Sequence, residues 1–162
     1  MVLRPPRPSD IEELERIFAT PEVADWWVGM DRAAIRSELL DGTDEDVTVY
    51  AIDVDEQIVG IVQSHEEPDE EYRQAGLDIA VDPEWHGTGV ALDALRTLAA
   101  HLFETRHHHH LTIDPAAANG RAIAAYTKLG FRPVGVLREN ERGADGSYHD
   151  TLLMDLLHGE LR

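Results

Sequence analysis

Two glycines, Gly87 and Gly89, stand between a β-patterned run and the clearest helix of the chain. Upstream, Gly76-Leu77-Asp78-Ile79-Ala80-Val81 reads as a strand ended by Asp82-Pro83. Downstream, Leu92, Leu95, Ala99 and Leu102 fall on one helical stripe, widened by Ala91, Leu98 and Phe103. A strand that turns through glycines into an apolar-striped helix has to lie in a sheet with that helix laid on its face. The same turn has chemical potential. The first N–H groups of a helix have no internal partners, the helix dipole is positive there, and glycine lets backbone come close to a ligand. A phosphate suits such a place. Neither common nucleotide signature is present: there is no Gly-Lys-Ser/Thr, and the three spaced glycines of a dinucleotide turn are reduced to two. Taken alone, the segment is also compatible with a glycine-rich helix start that holds nothing.

The rest of the chain alternates the two periods. Leu3 to Pro6 suggests a short strand, and Ser9 with Glu12 has the spacing of a capping box before Ile11, Leu14, Ile17 and Phe18. Ala33 to Leu40 reads as a second helix, stopped near Gly42. Val47 to Ile52 and Gln57 to Gln63 form a hairpin around a turn at 53–56. Leu111-Thr112-Ile113 is a strand closed by Asp114-Pro115, and Ala122 to Leu129 is a helix with Gly130 at its left-handed end. Phe131 to Leu137 and Tyr148 to Leu157 pair around the glycines at 143 and 146. The order β-α-α-β-β-β-α-β-α-β-β specifies an α/β fold, a mixed sheet with helices on its faces. No linker or repeat divides residues 1–162, so one domain is expected.

The exclusions come from composition. With no cysteine there is no disulfide, no thiolate zinc site and no thiol nucleophile. The N-terminus lacks an apolar signal region and no run reaches the length of a membrane span, so a soluble cytoplasmic protein is expected. Asp plus Glu is 32 against 14 Lys plus Arg, a formal net charge of −18. That field repels nucleic acid and anionic membrane and favours a polycationic partner. The run His107-His108-His109-His110 invites a metal reading, but side chains on an extended segment alternate faces, and no metal is expected there. A response to mild acid is the better use of those histidines. The acidic stretch 66–71 reads as a solvated loop able to steer cations.

A second patterned segment sharpens the chemistry. Asn119, Ala122, Tyr126, Gly130 and Phe131 fall at N-x-x-A-x-x-x-Y-x-x-x-G-F, with Asn119 as a cap and Ala122 and Tyr126 on one helix face. A neutral phenol at Tyr126 is either a buried anchor or a proton donor.

Together the two segments resemble the GNAT superfamily of acyl-CoA-dependent N-acyltransferases. Its glycine motif, Q/R-x-x-G-x-G/A, is matched by His86-Gly87-Thr88-Gly89-Val90-Ala91, with His86 in place of Gln or Arg. The resemblance implies a central, mostly antiparallel sheet with one splayed parallel pair, and acetyl-CoA as co-substrate. It implies that the main chains of Ile79 and Val81 pair with the acetyl carbonyl and the pantetheine arm. Residues 87 to 91 would then cradle the pyrophosphate, Asn119 would contact the pantetheine, and Tyr126 would protonate the leaving thiolate. Within the superfamily the chain is most similar to aminoglycoside 6′-N-acetyltransferases. The segments that carry this are Val23-Ala24-Asp25-Trp26-Trp27, Ile58 to Ser64, Gly76-Leu77-Asp78, and Thr112-Ile113-Asp114-Pro115 with Asn119. By that likeness Trp27, Gln63, Asp78 and Asp114 face the acceptor, and Asp78 orients the reacting amine and receives its proton. Asp78 is expected among apolar neighbours. The loop at 65–75 has little in common with those relatives and is expected to shape the acceptor site. Three functions follow as alternatives: acetylation of a cationic small-molecule amine, acylation of a lysine-like siderophore precursor or protein N-terminus, and non-catalytic acyl-CoA binding. A monomer and a homodimer are both compatible.

Overall fold

The computed structural model of the protein describes residues 1–42 and 44–162. Strand β1 (Val2–Arg4) leads through a tight turn at Pro8–Asp10 into α1 (Ile11–Phe18), the short α2 (Pro21–Ala24) and α3 (Arg32–Ala34). Helix α3 continues as a π-helical stretch, Ile35–Leu40. Then come β2 (Val47–Val54), β3 (Gln57–Glu66), β4 (Ala75–Val81), α4 (Val90–Glu104), β5 (His110–Ile113), α5 (Gly120–Leu129), β6 (Arg132–Arg142) and β7 (Tyr148–Leu157). The sheet order is β1-β2-β3-β4-β5-β7-β6, antiparallel everywhere except between β4 and β5.

That parallel pair is brief. Ala75 pairs with Leu111 and Gly76 with Thr112, and then the strands part. The cause is in the sequence. Strand β5 ends at Ile113, Pro115 brings no N–H to a ladder, and the chain goes on to bridge β7 through Ala116 and Thr151. From Leu77 onward β4 has no neighbour on that side.

Strand alternation sorts the core into two clusters. Ile52, Val62 and Leu77 lie with Leu95, Leu98 and Leu102 of α4 and Leu129 of α5. Ala51, Ile61 and Ala80, each one residue out of phase with a member of the first set or facing away from it, lie with Leu14, Ile17 and Ile35. The helices therefore cover both faces.

Several local expectations are corrected. The Ser9–Glu12 capping box does not form, because Pro8 opens a tight turn that carries Ser9 past the cap position. Asp10 takes the cap position of α1, but its carboxylate turns back to accept the Arg7 N–H at 2.7 Å and the Arg4 guanidinium at 2.8 and 3.0 Å and makes no bond to the helix. The β2–β3 turn is shorter than expected. Only Asp55 and Glu56 turn, both with positive φ, which matches the twist of a tight hairpin and extends β2 to Val54. On α4 the buried stripe is centred on Ala94, Leu95, Leu98 and Leu102, with Leu92 at its edge. Strand β6 runs past Leu137 to Arg142 by absorbing two register shifts against β7.

Gly130 closes α5 with φ +111. A Cβ there would run into the carbonyl oxygen of Glu160 and crowd Leu156 at 3.1 Å. Gly130→Ala is expected to lose about 2–4 kcal/mol of stability, combining left-handed strain with overpacking. Urea unfolding checks this: the midpoint should fall with little change in slope.

Candidate active site

Where β4 and β5 part, a cleft of about 600 Å³ opens. Ile79 and Val81 of β4 line one side, and Asn119, Ala122 and Tyr126 of α5 line the other. The glycine turn lies at one end, and Trp27, Asp78, Asp114 and Glu141 also contribute walls.

The turn is built by local hydrogen bonds. Buried Asp82 accepts the Glu84 N–H at 3.0 Å and is held from below by the Arg16 guanidinium. The Thr88 hydroxyl donates to the Trp85 carbonyl at 2.7 Å. Gly87 and Gly89 have φ of +80 and +95, and a Cβ at either would meet only open space. The bare backbone therefore faces the opening. The first i to i−4 bond of α4 runs from the Asp93 N–H to the Gly89 carbonyl, which leaves the N–H groups of Ala91 and Leu92 outside the helical ladder. Ala91 and Leu92 both line the cleft, whereas Val90 is turned into the core and the Thr88 side chain is engaged within the turn.

His86 bridges two elements. Its Nε2 lies 3.1 Å from the Val81 carbonyl, and its Nδ1 lies 2.7 Å from Nη1 of Arg121 on α5. A carbonyl only accepts, so Nε2 carries the proton and Nδ1 accepts from the guanidinium. Burial, then the charge of Arg121, holds the imidazole below its ordinary pKa, which keeps it neutral.

On α5, Asn119 caps the helix by accepting the Ala122 N–H at 3.1 Å. One turn later Tyr126 is buried, 8% exposed, with its ring tilted against Phe131. Its hydroxyl finds no hydrogen-bond partner among the described residues while its side chain borders the cleft. Burial, and then the charges of Asp78 and Asp114, push its pKa up, so the phenol keeps its proton.

Across the cleft, the β3–β4 register sets Gln63 opposite Asp78. Gln63 Nε2 donates to Asp78 Oδ2 at 3.2 Å, and His65 Nε2 lies 2.6 Å from the same oxygen. Asp78 is not enclosed by apolar neighbours as expected. Its side chain is 38% exposed and shares an ion pair with His65. Gln63 does not border the cleft; its amide is spent on Asp78. Asp114 accepts only a long 3.4 Å contact from Asn140, and Glu141 forms no ion pair among the described residues. Desolvation, and then neighbouring carboxylates, raise the pKa of both. Trp27 has two functions: its ring meets Phe18 edge-on at 5.5 Å, and it also walls the cleft.

The residues not anticipated from the sequence are His65, Arg121 and Glu141. His65 was discoverable by period two from Gln63, since both point to the face that carries Asp78. Arg121 occupies an unspecified position of the second motif, and Glu141 lies beyond the expected end of β6.

Of the loop at 65–75, expected to shape the acceptor site, His65 reaches Asp78 on the cleft wall, whereas residues 66–74 do not border the cleft. They precede β4, at the end where β4 and β5 are still paired, and are tied to the far side: Glu66 holds Arg106 and buried His108 at 3.1 and 2.7 Å. The histidine run is likewise dispersed. His108 turns inward to Glu66, and His110 approaches Asp155 at 3.4 Å, so acidic partners exist in space that the local spacing did not reveal.

Comparison with known proteins follows the same lines. Residues 1–132 match the family described as Acetyltransferase (GNAT) domain. No curated protein matches the sequence. Among solved structures the fold is similar to that of spermidine N-acetyltransferase from Vibrio cholerae in complex with CoA and spermine, with 21% identity, TM-score 0.82, and coverage of 98% of this chain and 96% of that one. It is similar to Mycobacterium smegmatis RimJ in complex with CoA-disulfide, with 24% identity, TM-score 0.83, and coverage of 98% and 82%. It is also similar to aminoglycoside acetyltransferase AAC(6')-Ib in complex with coenzyme A and kanamycin, with 24% identity, TM-score 0.78, and coverage of 97% and 94%. With the family match spanning most of its length and the splayed sheet to go with it, the chain belongs to the GNAT acetyltransferase family and is an enzyme of that type.

Proposed function

We propose that the protein transfers the acetyl group of acetyl-CoA to a primary amine of a cationic small molecule, the 6′-amine of an aminoglycoside first among them. The carrying observation is the juxtaposition in one cleft of Tyr126, a buried residue whose hydroxyl has no hydrogen-bond partner among the described residues, with three carboxylates, two of which form no ion pair among those residues. Carboxylates crowded together raise one another's pKa, and a polycationic acceptor relieves that repulsion. The solved relatives bound to spermine and to kanamycin support an acceptor of this chemistry.

In this reading the pantetheine arm lies along the free side of β4, where the main chains of Ile79 and Val81 have no strand to bond. A β4 N–H facing the acetyl carbonyl stabilises its oxygen as charge develops there. The pyrophosphate rests on the turn at 87–91. Asp78 takes the acceptor ammonium and receives its proton, directly or through water, and the free amine attacks the thioester carbon. Carboxylates are weak bases for an ammonium, so positioning is the larger part of what Asp78 contributes. As the carbon–sulfur bond breaks, Tyr126 gives its proton to the thiolate, and the attacking nitrogen, cationic once bonded to carbon, returns its surplus proton through water to the phenolate, which leaves a neutral amide, a thiol and a phenol. Asp114 and Glu141 hold the remaining cations of the acceptor.

A thiol-release assay tests the reading. Acetyl-CoA is offered with aminoglycosides carrying a free 6′-amine, one carrying a 6′-hydroxyl, spermidine, lysine and short peptides. Turnover confined to the 6′-amine compounds is expected. Turnover with spermidine alone moves the acceptor to the polyamines. Silence with every amine while acetyl-CoA still binds defeats the small-molecule reading.

A further inference from the structure

We infer that Arg121 is the cation that grips the pyrophosphate of acetyl-CoA, and that His86 positions it rather than touching phosphate itself. The inference rests on the reading of the glycine turn as the pyrophosphate site and adds the charge which that turn lacks.

Three observations converge. The first is that His86 has no N–H to offer. Its proton is committed to the Val81 carbonyl and its lone pair to Arg121. The second is placement. Arg121 borders the cleft together with His86, Gly87 and Gly89, yet it comes from α5, the helix on the opposite side. A neutral imidazole accepting one guanidinium N–H fixes the direction of the fork and leaves its other donors for a ligand. The third is electrostatic. The chain carries −18 formal charges, and the acceptor end of this cleft carries Asp78, Asp114 and Glu141. Besides Arg121 the cleft is lined by one other cation, Lys128, whose side chain has no hydrogen bond or ion pair among the described residues to fix it; the guanidinium held by His86 is the fixed charge that offsets that field for a multiply charged anion. In the glycine motif a Gln or Arg would occupy position 86. Here the cation arrives from across the cleft, and His86 couples it to the turn.

The test measures binding, so it needs no acceptor. Titration calorimetry is run with acetyl-CoA, with its 3′-dephospho form, and with S-acetylpantetheine, which has no phosphate. Measurable binding of acetyl-CoA to the unaltered protein is the control; its absence would defeat the site reading itself rather than the role of Arg121. Arg121→Ala is expected to weaken acetyl-CoA and the dephospho form alike, by roughly 10–100-fold, and to leave S-acetylpantetheine unchanged. His86→Leu should reproduce part of that loss. His86→Gln should restore affinity, because its amide can still donate to Val81 and accept from Arg121. Loss with acetyl-CoA only would transfer Arg121 to the 3′-phosphate and overturn the assignment. Equal loss with all three thioesters, or no loss with any, would overturn it as well. Failure of His86→Gln to bind better than His86→Leu would remove the positioning role.

Discussion

Tyr126→Phe should lower kcat by roughly 10²–10⁴-fold while acetyl-CoA binds nearly as before. The substitution removes one oxygen and keeps the ring that packs on Phe131. Its effect on the fold should be small, because the hydroxyl has no partner to lose among the described residues. Its effect on chemistry should be large. A thiolate expelled into a desolvated cleft holds the electron pair of the broken bond with nothing to share it. The raised pKa of Tyr126 keeps the proton on the phenol until that moment, and the thiolate, desolvated in the same cleft, becomes correspondingly more basic. Burst and steady-state measurements on the variant, with calorimetric binding of acetyl-CoA beside them, check the split. An unchanged kcat would show that water reaches the sulfur and that Tyr126 is only a wall.

Asp78→Asn should lower kcat/KM for the acceptor on the order of 10²-fold with little change in acetyl-CoA affinity. The amide matches the carboxylate in shape but cannot carry an ammonium or take its proton. Equal loss of acetyl-CoA binding would mark Asp78 as structural. The neighbouring imidazole adds a pH signature. Its hydrogen bond to Asp78 raises the pKa of His65 above the ordinary histidine value. Below that raised value the imidazolium cancels part of the Asp78 charge, and the ion pair also adds to stability. As the pH rises through it the cation is lost, the contribution to stability fades, and Asp78 is left for the acceptor. The pH profile of kcat/KM should therefore climb through the His65 titration as well as that of the amine. In His65→Gln only the limb belonging to the amine should remain.

The parts of this molecule legible in the sequence were those whose signal is local. The amphipathic stripe from Leu92 to Phe103, the glycines at 87 and 89, and Asn119 capping a helix that ends at Gly130 all declare themselves within a few residues. Tyr126 came forward from the spacing of its segment, and Asp78 from the likeness of Gly76-Leu77-Asp78 to a strand of the family. What escaped depends on distant pairings. Asp78 looked enclosed because its strand neighbours are apolar, but its exposure is decided by where β5 turns away, which no residue near 78 encodes. Arg121 carries no local signal, and only the fold brings it 2.7 Å from His86. The loop at 65–75 was expected to shape the acceptor site because the family likeness breaks off there, yet strand direction places residues 66–74 at the paired end of β4.

The early parting of β4 from β5 means that this sheet has an edge in its middle. Edges of sheets recruit extended chains, and proteins usually blunt or hide the ones they expose. This one is sheltered from other proteins by α4 and α5 yet open to anything slim enough to enter between them. If the thioester arm lies along β4 as proposed, its amide groups make it a removable strand, and the loaded protein would have a continuous sheet where the empty one has a gap. Cofactor loading then becomes the last step of folding, and the stability of the protein should track how much of it is occupied.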